Sequence, residues 1–143
     1  MTTQLPPPKR KDPVKRTRMP TYPPGNRSRE AQGLAAMAAS GRFALQTCQD
    51  CGRVQYPPRQ ICTKCLSGEL EWQDVSTGGK LLAETTLQHS NDLFFRDRLP
   101  WRLGVVLADV GLSIVAHLSE DCVQGKRIRL SLNMDRAGNA VVT

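Results

Sequence analysis

The segment CQDCGRVQYPPRQICTKC, residues 48–65, decides how the rest of the chain is read. It holds four of the five cysteines of a 143-residue sequence, as two C-x-x-C pairs separated by ten residues. Two residues between cysteines let the backbone turn so that both sulfurs point at one centre about 2.3 Å away, and two such turns facing each other make a tetrahedral four-sulfur site. Cys48, Cys51, Cys62 and Cys65 are therefore the predicted ligands of one metal ion. Iron fits the same geometry, and zinc is its commoner occupant. With every coordination position filled by protein, no place remains for water or substrate, so the ion is structural and its binding free energy is folding free energy. A redox dithiol needs one such pair, and a second at this spacing argues against it. Gly52, directly after Cys51, suits a turn that needs a positive φ. Leu66 stands in the equivalent place after Cys65, so the left-handed residue of the second turn is expected at Gly68. Arg53, Arg59 and Lys64 lie close enough in sequence to offset the negative charge of four thiolates, or are solvated surface charges.

Upstream of the ribbon, SREAQGLAAMAASG predicts a short helix within residues 28–42, N-capped by Ser28 and stopped by Gly41, with Leu34, Met37 and Ala38 on one face. Gly33 weakens it. Before that, residues 1–27 contain seven of the ten prolines and almost no aliphatic side chains, the composition of a disordered leader. The overall charge of +7 is carried by residues 1–42, where nine Lys/Arg face Asp12 and Glu30, while the remaining residues hold eleven of each sign. The basic excess thus belongs to the leader and the body is neutral. The leader has no apolar stretch of the kind a secretory signal needs, and the most apolar run, LGVVLADVGLSIVAHL, is interrupted by Asp109 and by glycines, so no membrane span is expected. Paired C-x-x-C units with an odd fifth cysteine fit a reducing compartment, with the cytoplasm as the default.

Downstream, the signals are those of a small all-β unit. LEWQDV, KLLAETTLQH, WRLGVVLADV, LSIVAHL, KRIRLSLNM and AVV read as short strands with glycine turns between most of them. Ile128, Leu130, Leu132 and Met134 alternate with Arg127, Arg129, Ser131 and Asn133, and Leu112, Ile114, Ala116 and Leu118 alternate with Ser113, Val115 and His117. The fold class is therefore mainly β: a zinc ribbon at residues 43–70, then a small closed OB-fold barrel at 71–143. Residues 90–100, SNDLFFRDRLP, read as the one long loop.

Catalytic material is sparse. A Cys122/His117 pair is conceivable as nucleophile and base, but Glu120 and Asp121 beside the thiol would raise its pKa, and His117 lies in an alternating strand.

The order of these features, together with C-x-x-C-G-R-x-Q-Y-P-P-R, the second C-x-x-C, W-x-x-V-S-x-x-G and the late G-K-x-I turn, resembles the zinc-ribbon plus OB-fold proteins associated with acyl-CoA enzymes. The resemblance spans about residues 28–135. It implies a rubredoxin-like ribbon and a non-catalytic accessory subunit that docks on a thiolase-fold large subunit and helps shape its acyl-CoA site, the nucleophilic cysteine and base belonging to the partner. Relatives of this kind partner acetoacetyl-CoA thiolases, acyltransferases, steroid side-chain lyases and benzoylsuccinyl-CoA thiolase, the last suiting a chain of this size. Within that reading Phe94 and Phe95 are candidate anchors for a partner pocket, and Arg96, Arg98 and Arg102 candidate contacts to a carboxylate or a CoA phosphate. The alternative for this loop is a phenylalanine folded back to cap the barrel, with solvated arginines. A rival function is a single-stranded nucleic-acid-binding ribbon/OB module, disfavoured by a charge-neutral barrel whose strand aromatics are Trp72 and Trp101.

Overall fold

The computed structural model describes residues 21–23, 25 and 28–143. The expected leader, residues 1–27, lies almost wholly outside them.

Helix α1, Arg29–Ala39, starts where Ser28 turns its hydroxyl back to accept from the Ala31 N–H at 3.3 Å. It ends where Gly41 takes φ 71°, letting Gly41 N–H donate to Ala38 O and Arg42 N–H to Met37 O, both at 3.0 Å. Leu34 is buried, and Met37 and Ala38 pack beside it against the core. Gly33 has a packing reason to be there: a Cβ at this position would lie 2.6 Å from Cζ2 of Trp72. The indole lies against the bare helix backbone.

Strands β1 (Ala44–Cys48), β2 (Val54–Gln55) and β3 (Leu70–Asp74) form an antiparallel sheet in the order β2-β1-β3. All five residues of β1 pair with β3, from Ala44 opposite Asp74 to Cys48 opposite Leu70. LEWQDV therefore serves the ribbon, and the expected division after residue 70 falls inside this sheet.

The second sheet runs β6-β5-β4-β7, built from β4 (Gly78–Leu87), β5 (Trp101–Ala108), β6 (Ser113–His117) and β7 (Arg127–Arg129). Between Leu81 and Ala83 its register slips by one residue, an irregularity of the kind that coils a sheet. A last hairpin pairs β8 (Leu132–Met134) with β9 (Ala140–Val142). The expected single strand KRIRLSLNM changes partners midway: Leu130 N–H donates to Thr77 O at 2.7 Å, whereas Ser131 N–H donates to Thr143 O at 2.8 Å. The result is a curled half-barrel with an attached hairpin, an OB-type arrangement, in place of one continuously hydrogen-bonded ring. Leu130 and Leu132 are buried as their alternation predicts, but Met134, beyond the bend, is 46% exposed.

The core joins the parts. Leu81, Val106, Ile114, Ala116, Leu130 and Val142 from the barrel pack in one cluster with Leu34 of α1 and Phe43 and Leu45 of the ribbon. Burying this apolar surface is what holds helix, ribbon and barrel as one body. The segment expected to be loop contains one helical turn, α2 (Leu93–Arg96), capped by Asp92, whose Oδ1 accepts from the Phe94 N–H at 2.8 Å.

Candidate functional site

The two cysteine turns are copies of each other. In the first, Cys48 N–H donates to Arg53 O and Gly52 N–H to Cys48 O, both at 2.9 Å; in the second, Cys62 N–H donates to Ser67 O at 2.8 Å and Leu66 N–H to Cys62 O at 3.1 Å. Equivalence extends to the backbone: φ is 71° at Gly52 and 61° at Leu66. Leu66 itself, not Gly68, therefore takes the left-handed conformation, because the turn geometry is set by the sulfurs it must deliver. Its side chain is 71% exposed, so the cost is backbone strain without a steric clash in the interior.

These turns bring Cys48 Sγ to 3.5 Å from Cys65 Sγ and Cys51 Sγ to 3.6 Å from Cys62 Sγ, with all four sulfurs within 4.8 Å of one another. A tetrahedron with bonds of about 2.3 Å has edges of about 3.8 Å, so the group fits one zinc ion. Backbone N–H groups of Cys65 and Lys64 point at Cys62 and pull its thiol down to about 6. Cys65 goes the other way, up to about 12: the Ser67 N–H lowers it, but burial and the sulfurs of Cys48, Cys51 and Cys62 outweigh that pull. The four thiols cannot all ionise side by side without a cation, which is what a structural zinc would supply. Arg53 donates from Nε to Thr63 Oγ1 at 3.2 Å, which fixes it beside the second turn.

The other sequence candidates separate. Phe94 is buried but lies outside the barrel core cluster, so it neither plugs the barrel nor stands free as an anchor. Its ring is covered by the Arg98 guanidinium, 3.6 Å from the centroid, while Arg98 Nη1 donates to Phe94 O at 2.6 Å. From Phe94 a row of rings runs outward: Phe94 to Phe95 at 5.1 Å, Phe95 to Trp101 at 5.5 Å, and Trp101 to His117 at 5.0 Å. This row, with Met134 and Val141, lines a cleft of about 630 Å³. Arg96 is half-buried and donates from Nε to Ser90 O at 3.4 Å. Arg102 is consumed structurally: Nη1 donates to Ser119 O and Glu120 O, and Nη2 to Cys122 O and the Glu84 carboxylate. As a phosphate ligand it would have to break that clip. His117 packs on Trp101 with its Nδ1 buried and without a hydrogen-bond partner, and burial lowers its pKa. Cys122 instead contacts Ser119 Oγ at 3.4 Å and packs against the core.

On the convex side of the barrel, pairing sets Val105 opposite Val115 and Leu107 opposite Ser113. Their neighbours Val106 and Ile114 fill the core, so Val105, Leu107 and Val115 face solvent at 37%, 42% and 59% exposure.

A ribbon of four convergent cysteines followed by an OB-type half-barrel is also what two family models describe. One, "ChsH2, rubredoxin-like zinc ribbon domain", matches residues 35–71; the other, "ChsH2, C-terminal OB-fold domain", matches 72–133. The chain belongs to the ChsH2 zinc-ribbon and OB-fold family. A solved structure described as "Ltp2-ChsH2(DUF35) aldolase" superposes with a TM-score of 0.65 at 18% identity, covering 81% of this chain and 93% of that one. At that identity the likeness speaks for the fold. No curated protein matches the sequence.

Within this ChsH2-type ribbon, two buried glutamines do work that spacing rules overlooked. Gln55 donates from Nε2 to Gln46 Oε1 at 3.1 Å and to Ile61 O at 3.3 Å, and its Oε1 accepts from Thr63 N–H at 3.0 Å. Gln46 Oε1 also accepts from Arg59 N–H at 2.7 Å. The pair thereby satisfies backbone groups of the loop that carries Cys62, holding the second turn against the first. The available signal was the glutamine in C-G-R-x-Q-Y-P-P-R.

Proposed function

We propose that this chain is a non-catalytic accessory subunit of a thiolase-fold acyl-CoA enzyme, a hetero-oligomer in which the large subunit carries nucleophile and base and this barrel helps shape the acyl-CoA site. The observation that carries the reading is the apolar convex face, Val105, Leu107 and Val115 on strands anchored to the core, extended by Leu82 and Leu87 at 43% and 42% exposure. An apolar sheet face left open to water marks a surface made to be covered. The four-cysteine site complements it, since four protein ligands leave an ion no open position for chemistry. The description of the structural neighbour, which joins a ChsH2 protein to Ltp2 in an aldolase, supports an assembly of this type.

Phe95, Arg96 and Arg98 are the residues of α2 and its flank that remain for contact with the partner or with CoA phosphates, with Phe94 as their support. The charge balance of residues 43–143, eleven Lys/Arg against eleven Asp/Glu, argues against oligonucleotide binding, which favours a basic groove. No helix among the described residues is long and apolar enough to cross a membrane. Five free cysteines among the described residues fit the reducing cytoplasm.

The test is to purify the tagged full-length chain from its native extract, identify its companion by mass, and assay thioester turnover. A thiolase-fold companion, with turnover by the complex and none by the chain alone, is expected. Turnover by the chain alone, or a companion of unrelated fold, would refute the proposal.

A further inference from the structure

The half-barrel is left unjoined between β6 and β9. β6 is the edge of one sheet and β9 the edge of another, and among the described residues no ladder links the two. The aromatic cleft gathers residues from both sides of this seam: Trp101 begins β5, His117 ends β6, Phe95 belongs to α2, and Met134, Arg136 and Val141 come from the β8–β9 hairpin. At about 630 Å³ it has the size of a small-molecule site, about 300–1,000 Å³. Met134, which leaves the core beyond the bend, is one of its lining residues. Successive rings from Phe94 to His117 are inclined by 89°, 62° and 48°, so the row offers both faces and edges, the two ways in which a further ring packs.

The polar groups decide what else a ligand must carry. The face of Phe94, which would attract a ligand cation, is already covered by the Arg98 guanidinium. Asp135 spends its carboxylate on the hairpin turn: Oδ1 accepts from Ala137 N–H at 2.9 Å and Asn139 N–H at 2.8 Å, and Oδ2 accepts from Asn139 Nδ2 at 3.1 Å. Arg136, next to it in that turn, is exposed and lines the cleft, as does Arg98. Burial lowers the pKa of His117, so it adds no charge at neutral pH. Two guanidiniums against one hydrogen-bonded carboxylate favour an anion, and a planar carboxylate matches the guanidinium fork. We propose that the cleft is a binding site for a small organic acid with a flat apolar ring body, the ring packed against Phe95 and Trp101 and the carboxylate held at Arg136. The site is built from this chain alone and does not rest on the subunit reading.

The chain has two tryptophans, so a nitrogen–proton correlation spectrum of the full zinc-loaded protein gives two indole signals, Trp72 at the helix and Trp101 in the cleft. The probe is 2-naphthoate, with 2-naphthylmethanol and 2-naphthylmethylammonium presenting the same rings without charge and with a positive charge. Added 2-naphthoate is expected to move Trp101, leave Trp72 in place, and bind about tenfold more tightly than the ammonium, with the alcohol between them. Arg136→Glu, at an exposed turn, should remove that preference without moving Trp72. Met134→Asp, which sets a carboxylate at a cleft residue that is 46% exposed, should weaken 2-naphthoate by about tenfold as well. Pyrophosphate, an anion without a ring, should leave Trp101 in place. The proposal is overturned if Trp101 stays put with all three naphthyl probes, if both indoles move together, or if the three probes bind equally. A preference that survives Arg136→Glu, or an equal shift from pyrophosphate, overturns it too.

Discussion

Substituting Gly33 by alanine sets two rules against each other. On propensity alone, Gly→Ala inside a helix stabilises by about 0.8–1.0 kcal/mol. The structure reverses the sign. The new Cβ would stand 2.6 Å from Trp72 Cζ2, 2.9 Å from Cε2 and 3.0 Å from Nε1, whereas ordinary contact begins at 3.4 Å. The rigid indole must move by about 0.8 Å at its nearest atom, and Trp72 is packed against the shared core. Forcing extra carbon into such a contact costs typically about 1–3 kcal/mol. Gly33→Ala is therefore expected to destabilise by about 1 kcal/mol net. Denaturant unfolding of the zinc-saturated protein, followed by Trp fluorescence, measures it. The decisive control is the Trp72→Leu background, where the clashing atoms are gone: there Gly33→Ala should stabilise, giving a coupling of about 1–3 kcal/mol between the two sites. A stabilising Gly33→Ala in the otherwise native chain, or an equal effect in both backgrounds, would refute the reasoning.

Three further outcomes are expected. Chelation of the metal, or Cys62→Ser, should abolish the cooperative unfolding of the ribbon and reduce bound zinc below one per chain by elemental analysis; an equally stable, metal-free protein would contradict the structural role. Leu66→Gly relieves a left-handed residue, worth about 1–2 kcal/mol, against the entropy glycine adds to the unfolded chain, about 0.5–1 kcal/mol, so it should stabilise by about 0.5–1 kcal/mol in the same assay. His117 has a folded pKa below its ordinary 6.5, so the folded state binds fewer protons than the unfolded one; its contribution is full above 6.5 and is lost as pH falls through that value toward the folded pKa. Native His117 should thus lose more stability between about pH 7.5 and pH 5.5 than His117→Phe at fixed zinc, as read from unfolding midpoints at each pH.

The metal ligands were legible because C-x-x-C spacing is a local property: two residues suffice to aim two sulfurs, whatever the rest of the chain does. Strand faces were legible for the same reason, Ile114 and Ala116 being buried and Val115 exposed as alternation requires. What escaped depended on contacts distant in sequence. Gly33 read as a weak point in a helix because the indole that needs it is thirty-nine positions away. Arg102 read as a free cation because its acceptors lie on the 119–122 turn and on β4. The strand ending at Met134 kept its alternation on paper, but its partner changes between Leu130 and Ser131, and no periodicity records a change of partner. The turn of helix at Leu93–Arg96 is the exception, since Asp92 before Leu-Phe-Phe-Arg was a readable cap.

The packing of α1 against β8 and β9 as well as β1 has a bearing on synthesis. The cysteine ribbon can gather its ion once β3, ending at Asp74, has cleared the ribosome, but the helix that precedes it finds its full seat only after Val142 has emerged. During that interval Leu34 and Met37 lack their final neighbours, and a nascent chain of this kind is most exposed to aggregation or capture by chaperones when its ribbon is already metallated and its first helix still waits for the last hairpin.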